Sequence, residues 1–134
     1  MTGLVLKLAP SERILINGAV IENGPRRGRL NIITPKANIL RLRDAIHPDH
    51  ATTPVRRICY TMQLILSGDR KIQDVAPELL EGISTLSSAF SDTKIHEILS
   101  ETQAAILSEQ PYQALRLMRS LLETEDMLLG RMPA

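Results

Sequence analysis

The hydrophobic pattern of this chain changes period near residue 52, and this change constrains the fold more than any other feature. Before that point, apolar residues alternate with polar ones or form short runs between turn residues, which is typical of β-strands. From Thr52 onward they recur every three to four residues, as on one face of an amphipathic helix. We therefore expect an α+β protein in which a small N-terminal antiparallel β-sheet of about four short strands packs against a C-terminal bundle of about four α-helices.

An Asn-Gly dipeptide marks a β-hairpin near the N-terminus. Asn17 and Gly18 lie between two short β-prone runs. A type I′ turn needs positive φ at both of its central positions, and these two residue types tolerate that conformation. Residues 4–8 and 30–33 predict further strands, whereas residues 39–42 fit either a strand or the start of a helix.

The helical half also carries recognisable boundaries. Thr52 or Thr53 is a suitable N-cap, and Pro54 suits the first helical position because it has no N–H to leave unpaired. Gly68, between Ser67 and Asp69, ends this first helix. Similar apolar spacing predicts three further helices, with apolar faces at residues 79–90, 95–106 and 115–129.

Length and composition favour one domain over residues 1–134. Its basic, β-rich half is residues 1–51 and its helical half is residues 52–134, which is acidic beyond residue 72. The lone Cys59 has no intramolecular disulfide partner, as is usual in a reducing compartment. The first residues lack a signal-peptide pattern, and no segment approaches about 18 continuous apolar residues. We expect a soluble, cytoplasmic protein that has no membrane partner.

The near-neutral total charge conceals two oppositely charged halves. Residues 1–71 contain 12 basic and 5 acidic residues, a net charge of +7, whereas residues 72–134 contain 4 basic and 10 acidic residues, a net charge of −6. Asymmetry of this size indicates a surface for a polyanion. The candidate residues for contact with a polyanion are Arg13, Arg26, Arg27, Arg29, Arg41, Arg43, Arg56 and Arg57, and Lys36 belongs to the same basic set.

Two interpretations of these arginines remain open on composition alone. Guanidinium groups suit bidentate contact with phosphate or guanine, which favours a nucleic-acid surface. However, no aromatic residue precedes Tyr60, so the stacking platforms of most single-strand binders are absent from the basic half. The arginines could equally pair with the acidic helices of the same or another subunit.

Catalytic and metal-binding motifs are not recognisable. His47 and His50 flank Pro48-Asp49, but no further Cys/His cluster completes a metal site, so we expect a solvated loop. We expect His96 at the surface and Cys59 as a small buried hydrophobic residue rather than a nucleophile. Nucleophile and phosphate-loop motifs are also missing. The chain is therefore predicted to be neither an enzyme nor a binder of a metal or other cofactor.

Several segments resemble a known family: Ser11 to Ile21 (SERILINGAVI), Ile39 to Arg41 (ILR), Thr53 to Ile58 (TPVRRI) and Gln63. As an ordered set they are similar to the FlbT flagellar biosynthesis repressors of alphaproteobacteria, and the resemblance covers nearly the whole chain. Two positions depart from the family pattern. Ser11 stands where glycine is usual, and Cys59 stands where an aromatic residue is common.

The resemblance implies post-transcriptional repression of flagellin synthesis during flagellum biogenesis. FlbT-like proteins are described as associating with the 5′ untranslated region of flagellin mRNA, repressing its translation and promoting its decay, and as working alongside the small helical protein FlaF. On this basis we expect the arginine-bearing hairpin face and the helix start at residues 53–57 to form one cationic RNA-binding surface. The alternative is a protein-interaction regulator or chaperone-like adaptor that binds flagellin, FlaF or a second copy of the chain through residues 72–134, without RNA contact.

Overall fold

Short antiparallel strands form two small sheets in the N-terminal half. A computed structural model describes residues 4–34 and 37–130. Within these ranges, β1 pairs with β4 in one sheet, and the second sheet has the order β3-β2-β5. The α+β class is confirmed, but the described strands number five and form two sheets instead of one. They are β1 (Leu4–Leu8), β2 (Arg13–Ile16), β3 (Ala19–Glu22), β4 (Gly28–Ile32) and β5 (Ile39–Arg41).

The predicted Asn-Gly hairpin is confirmed. Ile16 pairs with Ala19 across the turn, and both central residues have positive φ, 50° at Asn17 and 86° at Gly18. The ambiguous segment at residues 39–42 combines both predicted conformations. It forms β5, which pairs with β2, and passes directly into a 3₁₀ helix over Leu42–Asp44. This 3₁₀ helix directs Arg43 outward beside the sheets.

Strand β5 separates two aliphatic cores. Ile39 is buried with Leu6, Leu8 and Ile14 in a small core between the two sheets. The next residue, Leu40, points to the opposite face and joins the large helical core. Successive side chains alternate between the faces of a strand, so three residues of β5 are enough to connect the sheets to the helices.

Among the described residues, five α-helices follow a second 3₁₀ turn over Pro48–His50. The predicted start of the first helix is confirmed, because the side chain of Thr53 accepts a hydrogen bond from the backbone N–H of Arg56. Its predicted end is also confirmed by a left-handed Gly68. In the described part of the chain, no helix has the length and apolarity needed to cross a membrane. The helices are α1 (Pro54–Ser67), α2 (Ile72–Ala89), α3 (Thr93–Leu107), α4 (Pro111–Arg119) and α5 (Leu122–Leu128).

The last predicted helix is divided into α4 and α5. The backbone N–H groups of Ser120 and Leu121 donate to the carbonyls three residues earlier, those of Leu117 and Met118. These bonds tighten the chain into a 3₁₀-type turn. The Ser120 hydroxyl also donates to the Leu117 carbonyl at 2.6 Å and competes with helical pairing. Neither proline nor glycine lies at this break, so the sequence gives no strong signal for it.

The break directs an acidic side chain onto the start of α1. Glu125 is buried; its Oε2 accepts from the backbone N–H of Val55 at 2.8 Å, and its Oε1 accepts from the Thr53 hydroxyl. A carboxylate at this place satisfies an N–H that has no partner inside the helix and interacts favourably with the helix dipole. Glu125 thereby ties α5 to α1.

A second buried carboxylate connects the strands. Glu12 accepts from the backbone N–H of Ala9 at 2.9 Å and from the guanidinium of Arg41, whose Nε lies 2.8 Å away. Arg41 also donates to the Lys7 carbonyl of β1. One ion pair thus joins β1, the turn before β2, and β5. The guanidinium of Arg41 lowers the pKa of the Glu12 carboxyl to about 2.

The turn that presents Glu12 has a left-handed residue. Ser11, where the resemblance leads us to expect glycine, has φ 59°. This conformation costs a non-glycine residue roughly 1–2 kcal/mol. Two backbone hydrogen bonds between residues 11–12 and residues 23–24 stabilise the turn nevertheless.

Replacing Glu12 with Gln should destabilise the protein by about 2–3 kcal/mol at neutral pH, because charge-assisted hydrogen bonds to the partly buried Arg41 are lost. The folded-state pKa lies below the unfolded value of 4.5, so the stabilisation is present above pH 4.5 and is lost as the pH falls toward 2. Urea unfolding between pH 7 and 3 should show the difference from wild type shrinking with acid. The exposed Glu22→Gln variant is the control; an equal effect there would contradict this role for Glu12.

Replacing Glu125 with Ala should lower the free energy of unfolding by about 1–3 kcal/mol, since buried donors on Thr53 and Val55 lose their acceptor. Urea denaturation checks this value. Glu123, exposed on the same helix, provides the matched Ala control and should change stability by no more than about 0.5 kcal/mol. Equal stability of the two variants would show that α5 is not held through Glu125.

Candidate nucleic-acid interface

Basic side chains from three segments meet in one concave surface, here called the cationic groove. It is an open groove of about 790 Å³ beside β1, β4 and the end of β5. Among the described residues that line it, none is acidic. The groove unites residues that lie far apart in the sequence, and its cations are Lys7, Arg27, Arg29, Arg41 and Arg43.

Two of these cations lie directly opposite each other on the neighbouring strands β1 and β4. Lys7 and Arg29 are register partners, and both are exposed. Like charges directly opposite one another in an antiparallel pair are destabilising. This arrangement therefore contributes nothing favourable to folding, and a bound anion would relieve the repulsion.

Arg26, Arg27 and Arg29 have exposed side chains on the turn into β4 and on that strand. In residues 4–34 and 37–130, no salt bridge to them is found. The turn itself is fixed, because the Asn23 side chain donates to the carbonyls of Ala9 and Arg26 at 2.8 Å each. Three exposed guanidinium groups are thus presented on an ordered backbone; Arg27 and Arg29 line the cationic groove, and Arg26 directly precedes them in the turn.

Arg41 and Arg43 differ in how firmly they are held. Arg41 is only 12% exposed, and its hydrogen bonds to Glu12 raise its pKa. Arg43 is 57% exposed, and its Nε lies 3.6 Å from Glu12 and 3.9 Å from Asp44. Arg43 can therefore reach a ligand, whereas Arg41 mainly shapes the groove wall.

Arg56 is engaged by the C-terminal helix. Its two terminal nitrogens donate to the carboxylate of Asp126 at 2.6 and 2.9 Å, and Glu125 lies 3.7 Å away. The hydrogen bonds with Asp126 raise its pKa. This bidentate pair occupies the guanidinium, so Arg56 is not presented to an outside ligand.

The remaining candidate residues lie outside the cationic groove. Arg13 pairs with Glu22 on the neighbouring strand at 2.7 Å. Arg57 lines a separate groove between α1 and α2, which also contains acidic residues. Lys36 lies outside the described residues. The single surface expected to join the hairpin face to the start of α1 is therefore not formed by Arg56 and Arg57.

Sequence reasoning did not select Lys7, Tyr112, Arg116 or Arg119 for this region. Alternation within β1 places Lys7 on the outward face, which was a usable signal. Tyr112, Arg116 and Arg119 come from α4, and together with Arg41 and Arg43 they line a second concavity. Nothing local in the sequence indicates that α4 packs beside these strands.

The cysteine and the histidines considered in the sequence analysis are one buried core residue and three exposed side chains. Cys59 is fully buried in the helical core, and desolvation raises its pKa to about 12, which suppresses thiolate formation. It is the small hydrophobic residue predicted above. His47 and His50 lie at the exposed 3₁₀ turn, where His47 Nδ1 accepts from the backbone N–H of Asp49. His96 is exposed on α3.

Comparisons with known proteins agree on one family. The sequence model of the family described as "Flagellar protein FlbT" matches residues 4–129. "Probable flagellum biosynthesis repressor protein FlbT" of Caulobacter sp. (strain K31) is 34% identical over 95% of this chain and 96% of its own length. "Flagellum biosynthesis repressor protein FlbT" of Caulobacter vibrioides (strain ATCC 19089) is 31% identical over 95% and 89%.

A relative from another genus gives the same result. "Probable flagellum biosynthesis repressor protein FlbT" of Rhodopseudomonas palustris (strain TIE-1) is 34% identical over 96% of this chain and 98% of its own. No solved structure matches. The family match and these nearly full-length relatives lead to one conclusion: the chain belongs to the FlbT family of flagellar proteins.

Proposed function

We propose that this protein represses flagellin synthesis after transcription by binding the 5′ untranslated region of flagellin mRNA through the cationic groove. The observation that supports this most directly is the set of exposed guanidinium groups on β4 and the preceding turn, to which the described residues form no salt bridge. The relatives named as flagellum biosynthesis repressors support the regulatory role.

The chemistry of the groove suits a phosphate backbone. Guanidinium groups bind phosphate bidentately, and a groove without carboxylates accumulates positive potential. Lys7 and Arg29 add a pair of cations whose mutual repulsion a phosphate would reduce. Such contacts fix the position of an RNA without reading its sequence.

Repression would follow from binding of the protein to the 5′ untranslated region of the mRNA. RNA held along the groove would be inaccessible to the ribosome, and a separate ribonuclease would cleave the untranslated message. The role of this protein is thus binding and not catalysis, in keeping with a family whose curated members are named repressors.

Replacing Arg26, Arg27 and Arg29 together with Ala should weaken binding to flagellin leader RNA by about tenfold or more. Each lost phosphate contact should also reduce the slope of log affinity against log salt by about 0.7. The charge-matched control replaces Arg70, Lys71 and Lys94, which are exposed cations outside the groove, with Ala. Filter binding across several salt concentrations, with a scrambled RNA for comparison, measures both quantities. Equal affinity and salt slope in the two triple variants would refute groove binding.

A second candidate function is contact with flagellin, a FlaF-like protein or a second copy of the chain through the C-terminal helices. Exposed apolar side chains at the end of α5 favour it, since Met127 is 71% and Leu128 is 64% exposed. These residues are close to the Glu125 contact with α1, so the surface they form is held in place.

Replacing Met127 and Leu128 with Gln in the full chain should abolish pull-down of flagellin or the FlaF-like protein, or dimer formation in gel filtration, if this surface binds a partner. Leader-RNA affinity should stay unchanged, because neither residue lines the cationic groove. Retention of every protein contact by this double variant would eliminate the second candidate.

A further inference from the structure

The concavity between β1, β5 and α4, here called the Tyr112 pocket, adjoins the cationic groove. Its volume is about 370 Å³, within the range of small-ligand sites. Arg41 and Arg43 line both concavities, so the two meet along these side chains. A strand of RNA lying in the groove would therefore pass the mouth of the pocket.

The pocket combines an apolar floor with an aromatic ring. Leu6, Leu40 and Leu115 are buried beneath it. Tyr112 is half-buried, and the guanidinium of Arg116 lies 5.9 Å from the centre of its ring. Aromatic rings and planar guanidinium groups are the surfaces on which unpaired bases stack.

The polar rim is strongly cationic. Four arginines and one carboxylate, Asp44, line the pocket. Asp44 is already engaged by Arg119, which donates to its backbone carbonyl at 2.8 Å and lies 3.5 Å from its side chain. In the described ranges, Arg116 forms no salt bridge. The rim can therefore accept the phosphate that accompanies an inserted base.

From this geometry we infer that the Tyr112 pocket receives one unpaired nucleobase, which stacks on Tyr112 and Arg116 while the flanking phosphates contact the cationic groove. The inference rests on the proposed RNA-binding function and adds to it a requirement for single-stranded RNA. A base inside a duplex is stacked on its neighbours, and its faces cannot reach the ring. The pocket thereby supplies the stacking platform that the basic half of the sequence lacks.

The test uses single-stranded segments of the flagellin leader, about 12 nucleotides long, each with one 2-aminopurine whose fluorescence is quenched on stacking. With the full chain, one position should be quenched on binding. Tyr112→Leu keeps apolar bulk but removes the ring, so it should abolish that quenching and weaken binding by about 5- to 150-fold. The salt slope should stay unchanged, because no phosphate contact is removed.

Tyr112→Phe, which keeps the ring, should retain both quenching and affinity. Tyr60→Leu on α1 is the matched control, since Tyr60 is the other tyrosine of the chain and lies outside both concavities. Tyr112 packs against both cores, so thermal melts accompany each variant. If Tyr112→Leu does not fold, Arg116→Gln replaces it, because Arg116 is exposed; with the ring still present, affinity should fall while part of the quenching is retained.

The outcomes separate this inference from the proposed function. Suppose that the wild-type chain binds the leader segments and the triple variant of Arg26, Arg27 and Arg29 binds them weakly. If Tyr112→Leu then quenches and binds as wild type does, the pocket inference is overturned and groove binding stands. If the wild-type chain does not bind RNA, both are overturned. Tighter binding to an annealed duplex than to the single strand would also overturn the pocket inference.

Discussion

The ion pair between Glu12 and Arg41 is the interaction on which the arrangement of the N-terminal half depends. It connects the turn before β2 to β5, and through the Lys7 carbonyl it reaches β1. Removing one partner of a buried pair leaves an uncompensated charge, so each partner requires the other. The pair also holds the end of β5 against β1 and the turn before β2. Arg43, two residues beyond Arg41, stands between the cationic groove and the Tyr112 pocket because β5 ends there.

Features set by neighbouring residues could be predicted from the sequence. The hairpin follows from the positive φ that Asn17 and Gly18 accept, and the bounds of α1 follow from Thr53 and Gly68. The cluster of Arg26, Arg27 and Arg29 was likewise visible in the sequence. In each case the physical cause acts between residues that are close in the sequence, so the local sequence is enough to predict the feature.

Features set by distant residues could not be predicted. Arg41 and Glu12 are 29 positions apart, and Arg56 and Asp126 are 70 apart. Periodicity shows that α4 is amphipathic but not which strand it packs against, so Tyr112 gave no sign that it lies beside Arg43. The division between α4 and α5 arises from a hydroxyl hydrogen bond and a tightened turn, and it changes which acidic side chains reach α1.

The charge asymmetry of the sequence does not produce two uniform faces. Asp126, from the acidic half, binds Arg56 of the basic half, and Arg119, from the acidic half, binds Asp44 of the basic half. Internal pairing of this kind is what one of the two sequence interpretations predicted. It does not extend to Arg26, Arg27 and Arg29, for which the described residues show no salt bridge. Two of them, Arg27 and Arg29, line the cationic groove together with Lys7. Because their mutual repulsion opposes folding, their presence there is better explained by an external anion than by stability.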